Sequence, residues 1–537
     1  MKKLSRTYKI FLLLLLILFW KVSAGAETKR LVILTTNDLH GQVEPLFTTG
    51  ENETTVEMGG FSRLASAVRS IKEKYPAEVL VVNSGDSLTG KYFLQFKGEA
   101  VFSALTLMGI DAGTLGNHEF DRGADILAAA LKYCRFPVVE TNLKPITENP
   151  LAGLFVDAVV MQRNSLKIGI LGLMTPVLPL ISNAKGLKFA ANMAERARSA
   201  AEKLKKEQKA DLVIALTHIG LEEDKALARK VPQIDVICGS HSHDLLKTGQ
   251  EVVLLRPDGS RTIIVQAGAR GQYLGLLKLE LENGLIMGHQ WEPIRVGATI
   301  IQAPDMEDLI RMYQKKMPLK RVLTTSRVAL DCLSETVRAR EAAIGNLITD
   351  IIRQRFNTDM AFHNGGGIRG ERVIPAGRIT TEDIDTMLPF ENRVVLLRLK
   401  GRVIKQALER GVAFLSPKQG AFLQVSGLRY EVNPKATPQK LRTDKNRIPI
   451  GIRQPGSRIV NMEVLQKEGR YQPLDSERVY AVAVNSFLAN GGDGYVMLKA
   501  ARHRTATYVP LRSAVTNRLD RSSFIAPKQE GRIRILD

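Results

Sequence analysis

Residues 30–41 read RLVILTTNDLHG, an apolar run that breaks off at Asn37-Asp38-Leu39-His40-Gly41. A continuous β-branched run predicts a strand covered on both faces. The same plan recurs in EVLVVNSGD (78–86), LKIGILGL (166–173), ADLVIALTH (210–218), IDVICGSHSH (234–243) and RTIIVQAG (261–268). Between these runs lie helical patterns such as FSRLASAVRSIKEKY (61–75) and MAERARSAAEKLKKEQK (193–209). Strand and helix in alternation predict an α/β domain up to about residue 285.

Polar clusters fall where the apolar runs stop. They are Asn37–Gly41, Gly85-Asp86, the Gly116–Asp121 stretch GNHEFD, Thr217-His218 and Gly239–His243. Sites in α/β sheets form at the carboxyl ends of strands, so these clusters are expected to converge. Five of the eight histidines fall in them, too many to read each as a stray loop residue. Carboxylate, amide and imidazole together suit zinc, manganese, cobalt or iron(II) better than calcium. Two such ions about 3.5–4 Å apart need a bridging carboxylate and activate a shared water, and Asp86 is placed to bridge. His118 follows the candidate ligand Asn117, where it can donate a proton without binding metal. Asp121, three residues on, can orient its ring.

These motifs resemble those of the calcineurin-like metallophosphoesterases, in particular the 5′-nucleotidase family. TNDLHG, NSGD, GNHEFD, THIG and GSHSH stand in the family's order. The resemblance implies a four-layer αββα sandwich in which Asp38, His40, Asp86 and His243 hold one metal. Asp86, Asn117, His218 and His241 would hold the other, with His118 and Asp121 as the catalytic pair. Ser240 departs from the glycine often found there, and the position of His243 varies among relatives.

Beyond residue 300 the pattern changes. PDMEDLIRMYQKKMPLK (304–320) predicts a connecting helix with Asp305 as its N-cap. REAAIGNLITDIIRQRF (340–356) carries Ile344, Leu347, Ile348, Ile351 and Ile352 on one helical face, a core stripe. Shorter strands and glycine clusters follow, so a second domain of α+β type is expected. HNGGGIRG, TMLPFEN and NSFLANGGDGYV resemble the nucleotide-binding segments of the same family. There Phe390 and Phe487 can clamp a base, and Arg369 can pair with phosphate. Asn364 can bond the base and Asp493 the ribose hydroxyls, while Arg338, with Arg340 close by in sequence, matches a phosphate-binding arginine. The expected organisation is 29–300 metallophosphoesterase domain, 301–325 linker helix and 326–537 substrate-binding domain. The implied reaction removes phosphate from nucleoside 5′-monophosphates, with UDP-sugars as further substrates to consider. The alternatives are 2′,3′-cyclic nucleotide or 3′-nucleotide hydrolysis on the same fold, or nucleotide binding without catalysis. Asp121 argues against the cyclic-nucleotide branch, which tends to carry asparagine there.

Residues 1–26 combine a basic start, MKKLSRTYK, an apolar run, IFLLLLLILFW, and small residues, VSAGA, so they are read as a secretory signal. Export to a periplasm or the extracellular medium is therefore expected, with no membrane span left after cleavage. The chain has 537 residues and a net charge of +21, or +16 without the five cations of that leader. Such charge attracts anionic substrates. Its basic residues are scattered without a run, which argues against nucleic acid. Cys134, Cys238 and Cys332 are too few for a disulfide framework, and Cys238 is read as a buried, inert thiol.

Overall fold

The computed structural model describes residues 28–49, 55–416, 419–444 and 448–536, so the expected leader lies outside the described residues. The six apolar runs are strands, but they divide between two sheets. Lys29–Thr36 runs parallel to Val79–Asn83 and antiparallel to Tyr273–Glu282. Ala112–Gly113 and Leu285–Arg295 complete that five-stranded sheet. Leu166–Met174, Leu212–His218, Val236–Cys238 and Arg261–Val265 belong to a six-stranded sheet.

Burial explains the layers. Leu31, Ile33, Leu80 and Val82 of one sheet pack with Ile168, Ile170, Ile214 and Leu216 of the other. The opposite face of the first sheet, with Val32, Leu34 and Val81, takes Phe61, Leu64 and Val68 of the helix Phe61–Lys74. The outer face of the second sheet, with Leu171, Leu173 and Val213, takes Ala197, Ala201 and Leu204 of the helix Met193–Lys206. Both faces of each central strand meet apolar material, hence the unbroken runs in the sequence. The architecture is the expected αββα sandwich.

Packing within it is close. A Cβ on Gly172 would stand 1.8 Å from the Val139 carbonyl oxygen, a backbone atom. Gly172→Ala is expected to cost about 1–3 kcal/mol by overpacking, read as a lower midpoint in a denaturant titration.

The registers bring the strand ends together. Thr36 pairs with Asn83, so the Asp38 N–H donates to Gly85 O at 3.0 Å and the His40 N–H to Asp86 O at 2.9 Å. Leu216 pairs with Cys238 in the other sheet. Ser84 Oγ donates to Cys238 O at 2.8 Å, joining the two sheets beside the site.

The helix after the first domain spans Pro304–Lys315, and its N-cap is Ala303 rather than the expected Asp305. Proline occupies the first helical position, which displaces Asp305 into the first turn. There Asp305 pairs with Arg69 at 2.6 Å. Met306, Ile310 and Tyr313 pack this helix onto the first lobe.

The second lobe holds a five-stranded sheet in the order Leu423–Ser426, Met360–Asn364, Val479–Asn485, Arg393–Lys400, Arg504–Pro510. The helix Ala343–Arg355 buries Ile344, Ile348, Ile351 and Ile352 against it, with Leu347 at the margin. Salt bridges Lys91–Glu382 at 2.5 Å and Arg122–Glu391 at 2.6 Å join the lobes.

Candidate active site

The loops that follow the strands are bent sharply. Asp38, His40, Asp86, His241 and His243 all lie at φ between +49° and +77°. Such backbone costs about 1–3 kcal/mol per non-glycine residue and persists only where its surroundings enforce it. The enforcement is visible. Glu119 is buried, and its Oε2 accepts the N–H groups of Asp86 at 3.0 Å and Gly116 at 2.7 Å. Its Oε1 accepts those of Ser87 at 2.6 Å and Leu88 at 3.1 Å. The Asp38 carboxylate accepts the His241 N–H at 3.0 Å.

The donor atoms converge in three groups, each within 4.8 Å: Asp38, His40 and His243; His40, Asp86 and His118; Asp86, His218 and His241. His40 Nε2 and His243 Nε2 stand 2.9 Å apart, and His243 Nε2 lies 3.4 Å from Asp38 Oδ1. His218 Nε2 faces Asp86 Oδ2 at 3.3 Å, Asn117 Oδ1 at 3.2 Å and His241 Nδ1 at 3.2 Å. Imidazole lone pairs and carboxylates pointed at one another are the donor set of a divalent cation. Asp86 is common to two of the groups. Burial and the neighbouring His243 hold His40 well below its usual pKa, and burial with His218 takes His241 down to about 4. Both shifts favour the neutral ring, the form that ligates metal, whereas His218 is shifted the other way, to about 10, because its burial is outweighed by Asp86.

Ser240 anchors His218. Its hydroxyl lies 2.6 Å from His218 Nδ1 and 2.6 Å from Ser84 O, and His218 Nδ1 is 3.1 Å from the same carbonyl. With Nδ1 engaged there, Nε2 is presented to Asp86 and Asn117. The departure at residue 240 thus adds an orienting hydroxyl.

His118 Nδ1 lies 2.6 Å from Asp121 Oδ2, and Ser182 Oγ donates to Asp121 Oδ1 at 2.8 Å. Burial opposes a charge on His118, but Asp121 and Asp86 outweigh it and raise the pKa. Its Nε2, 3.9 Å from Asp86 Oδ2, is left to face the cleft. Phe390 of the second lobe stacks on His118, centroids 5.6 Å apart and planes within 19°.

The cleft between the lobes is about 1780 Å³, above the range usual for small-ligand sites. Asp86, Asn117, His118, Asp121, His241 and His243 line one side. Arg338, Asn364, Arg369, Phe390, Phe487 and Asp493 line the other. Arg340 is absent from the lining and bonds Thr336 Oγ1 at 3.2 Å. Asn485 donates to Asn364 Oδ1 at 2.9 Å, and Asn364 donates to Asp493 Oδ2 at 2.9 Å. His363 is buried beside Asn485, a structural position. His503 is exposed, and His289 is partly buried and pairs with Glu251 at 3.3 Å. Cys238 is buried between the sheets, as expected of an inert thiol.

Glu119 and Asn485 carry no individual signal in the sequence, a carboxylate inside GNHEFD being the nearest hint, and Ser240 stands out there only as a departure. Glu119→Gln would turn an amide NH₂ toward two N–H donors. Metal affinity is expected to fall about 10–100-fold, measured by titrating the apo protein with zinc.

Comparisons with known proteins give the chain's relatives. Residues 31–245 match the family model "Calcineurin-like phosphoesterase", and residues 322–500 match "5′-nucleotidase, C-terminal domain". The 5′-nucleotidase of Homo sapiens is 32% identical over 99% of this chain and 94% of its own length. That of Diplobatis ommata is 32% identical over 95% and 90%. The structure of a 5′-nucleotidase precursor from Thermus thermophilus superposes with a TM-score of 0.84, at 33% identity over 95% of this chain and 99% of that one.

Proposed function

This chain belongs to the 5′-nucleotidase family of calcineurin-like phosphoesterases, and from that premise we propose how its residues divide the work. It is a metal-dependent hydrolase that removes the 5′-phosphate of nucleotides. In our reading Asp38, His40, Asp86 and His243 hold one divalent ion, and Asp86, Asn117, His218 and His241 a second, of the zinc, manganese or cobalt kind. The fit is supported by the converging donors. Such ions, when bound, lower the pKa of water toward neutrality and offset charge on the phosphoryl oxygens.

The remaining roles belong to side chains. His118, its Nδ1 committed to Asp121, holds a proton at Nε2 for the departing 5′-oxygen. Arg338 and Arg369 bind the phosphate, and Phe390 and Phe487 hold the base between them. Asn364 bonds the base and Asp493 the ribose hydroxyls, kept in register by Asn485. The working units are 29–300, the linker 301–325 and 326–537. Export with loss of residues 1–26 fits the leader's composition, and among the described residues no helix is long and apolar enough to cross a membrane.

The observation that carries this reading is the stacking of Phe390 on His118, which sets a base-sized aromatic surface beside the proton donor. The test is phosphate release from AMP, with and without chelator, alongside 3′-AMP, 2′,3′-cyclic AMP and UDP-glucose. AMP is expected to turn over fastest, and chelator to abolish turnover. AMP binding without turnover of any nucleotide, in metal-replete protein, would reduce the chain to a binding protein.

A further inference from the structure

We propose that Arg270 is a third phosphate-binding arginine, supplied by the metal-bearing lobe and completing across the cleft the pair Arg338 and Arg369 of the second lobe. This rests on the reading of the cleft as a nucleotide site. Arg270 follows the Arg261–Val265 strand in the loop that closes over Asp38, and its N–H donates to Asp38 O at 2.7 Å. Its φ is +58°, a strained setting for an arginine, held against the strand end that carries two of the proposed metal ligands.

The side chain leaves that loop toward the other lobe. It is 13% exposed, lines the cleft, and brings Nη2 to 3.8 Å from Glu371 Oε1. Glu371 stands two residues after Arg369 and is itself tied down, its Oε2 accepting the Ser334 N–H at 3.1 Å. Arg270, Arg338 and Arg369 act on one another as like charges, with Glu371 opposing them. Burial and this repulsion push Arg270 and Arg338 down to about 10, still charged at neutral pH. The Arg369 guanidinium carbon lies 5.6 Å from the centroid of Phe390, the ring that stacks on His118, so the cluster adjoins the metal site. Three guanidiniums, Arg369 buried and the other two largely so, against the two carboxylates of Glu371 and Asp493 leave positive charge that a phosphate dianion matches, since its oxygens accept the paired N–H groups. Glu371 then serves as the partner of Arg270 when no phosphate is present. Because the three arginines come from both lobes, the phosphate would tie the lobes together.

The test uses the metal-replete full chain with Arg270→Gln and Arg270→Lys. Calorimetry with inorganic phosphate, KM for AMP and inhibition by adenosine are measured on each, with metal content as a control. Arg270→Gln should weaken phosphate and raise KM for AMP by about tenfold or more, as expected for loss of a charge-assisted contact. Adenosine, which lacks phosphate, should change less than about twofold, and Arg270→Lys should recover part of the loss. Unchanged phosphate affinity in Arg270→Gln, or equal weakening of phosphate and adenosine, would overturn the proposal. If the wild-type protein released no phosphate from any nucleotide, the functional reading would fail instead. The calorimetric comparison would still decide the role of Arg270.

Discussion

Asp86→Asn is expected to lose at least one metal equivalent and to lower kcat/KM for AMP by about 10³-fold or more, beyond the loss typical of one transition-state contact. Asp86 Oδ1 accepts the His118 N–H at 2.8 Å, and Oδ2 faces His218 Nε2 at 3.3 Å. An asparagine that keeps the first bond must turn its NH₂ toward His218, where a second metal contact is needed. An amide is also neutral, so it removes the negative charge that offsets two cations. Metal analysis after dialysis, paired with steady-state kinetics, reads both effects. A variant that keeps two equivalents at wild-type affinity would remove Asp86 from the bridging role.

His118→Asn should separate chemistry from metal binding. A fall in kcat of about 10²–10⁴-fold is expected, the range for removing a general acid, with metal content near wild type. Asp121 and Ser182 remain to hold the loop, since their own hydrogen bond does not involve His118. The stacked Phe390 loses its partner, so a modest change in KM is also expected. Loss of metal in this variant would show that His118 belongs to the ligand set, as its place in one donor group with His40 and Asp86 allows. The two substitutions together form a contrast: Asp86 should cost metal and rate, His118 rate alone.

Some of this was open to reading in the chain itself because the signals are local. A strand covered on both faces must be apolar along its buried length, and LVIL (31–34), VLVV (79–82) and LVIAL (212–216) are. Polar ligands are then left to the places where such runs end. The N-cap at Asp305 was misplaced because proline at the preceding position captures the first helical turn, a competition that a preference for acidic caps does not weigh. Arg338 and Arg340 could not be told apart in sequence, since two residues of offset in a short helical turn decide which side chain enters the cleft.

The sequence by itself therefore determined the alternation of strand and helix, the seven candidate ligands and the presence of an aromatic pair with arginines in the second half; that the strands divide between two stacked sheets is tertiary. Tertiary structure alone decided who meets whom. Phe390 reaches His118 across 272 positions of chain, and Asp38 reaches the His241 N–H across 203. Four N–H groups gather on Glu119 because two loops turn toward it, and Ser240 finds His218 because strand registers set them level. Local pattern records what each residue's immediate neighbours demand, burial on both faces or a bend. Convergence depends on register, layer stacking and the docking of one lobe on another, which no short stretch of sequence contains.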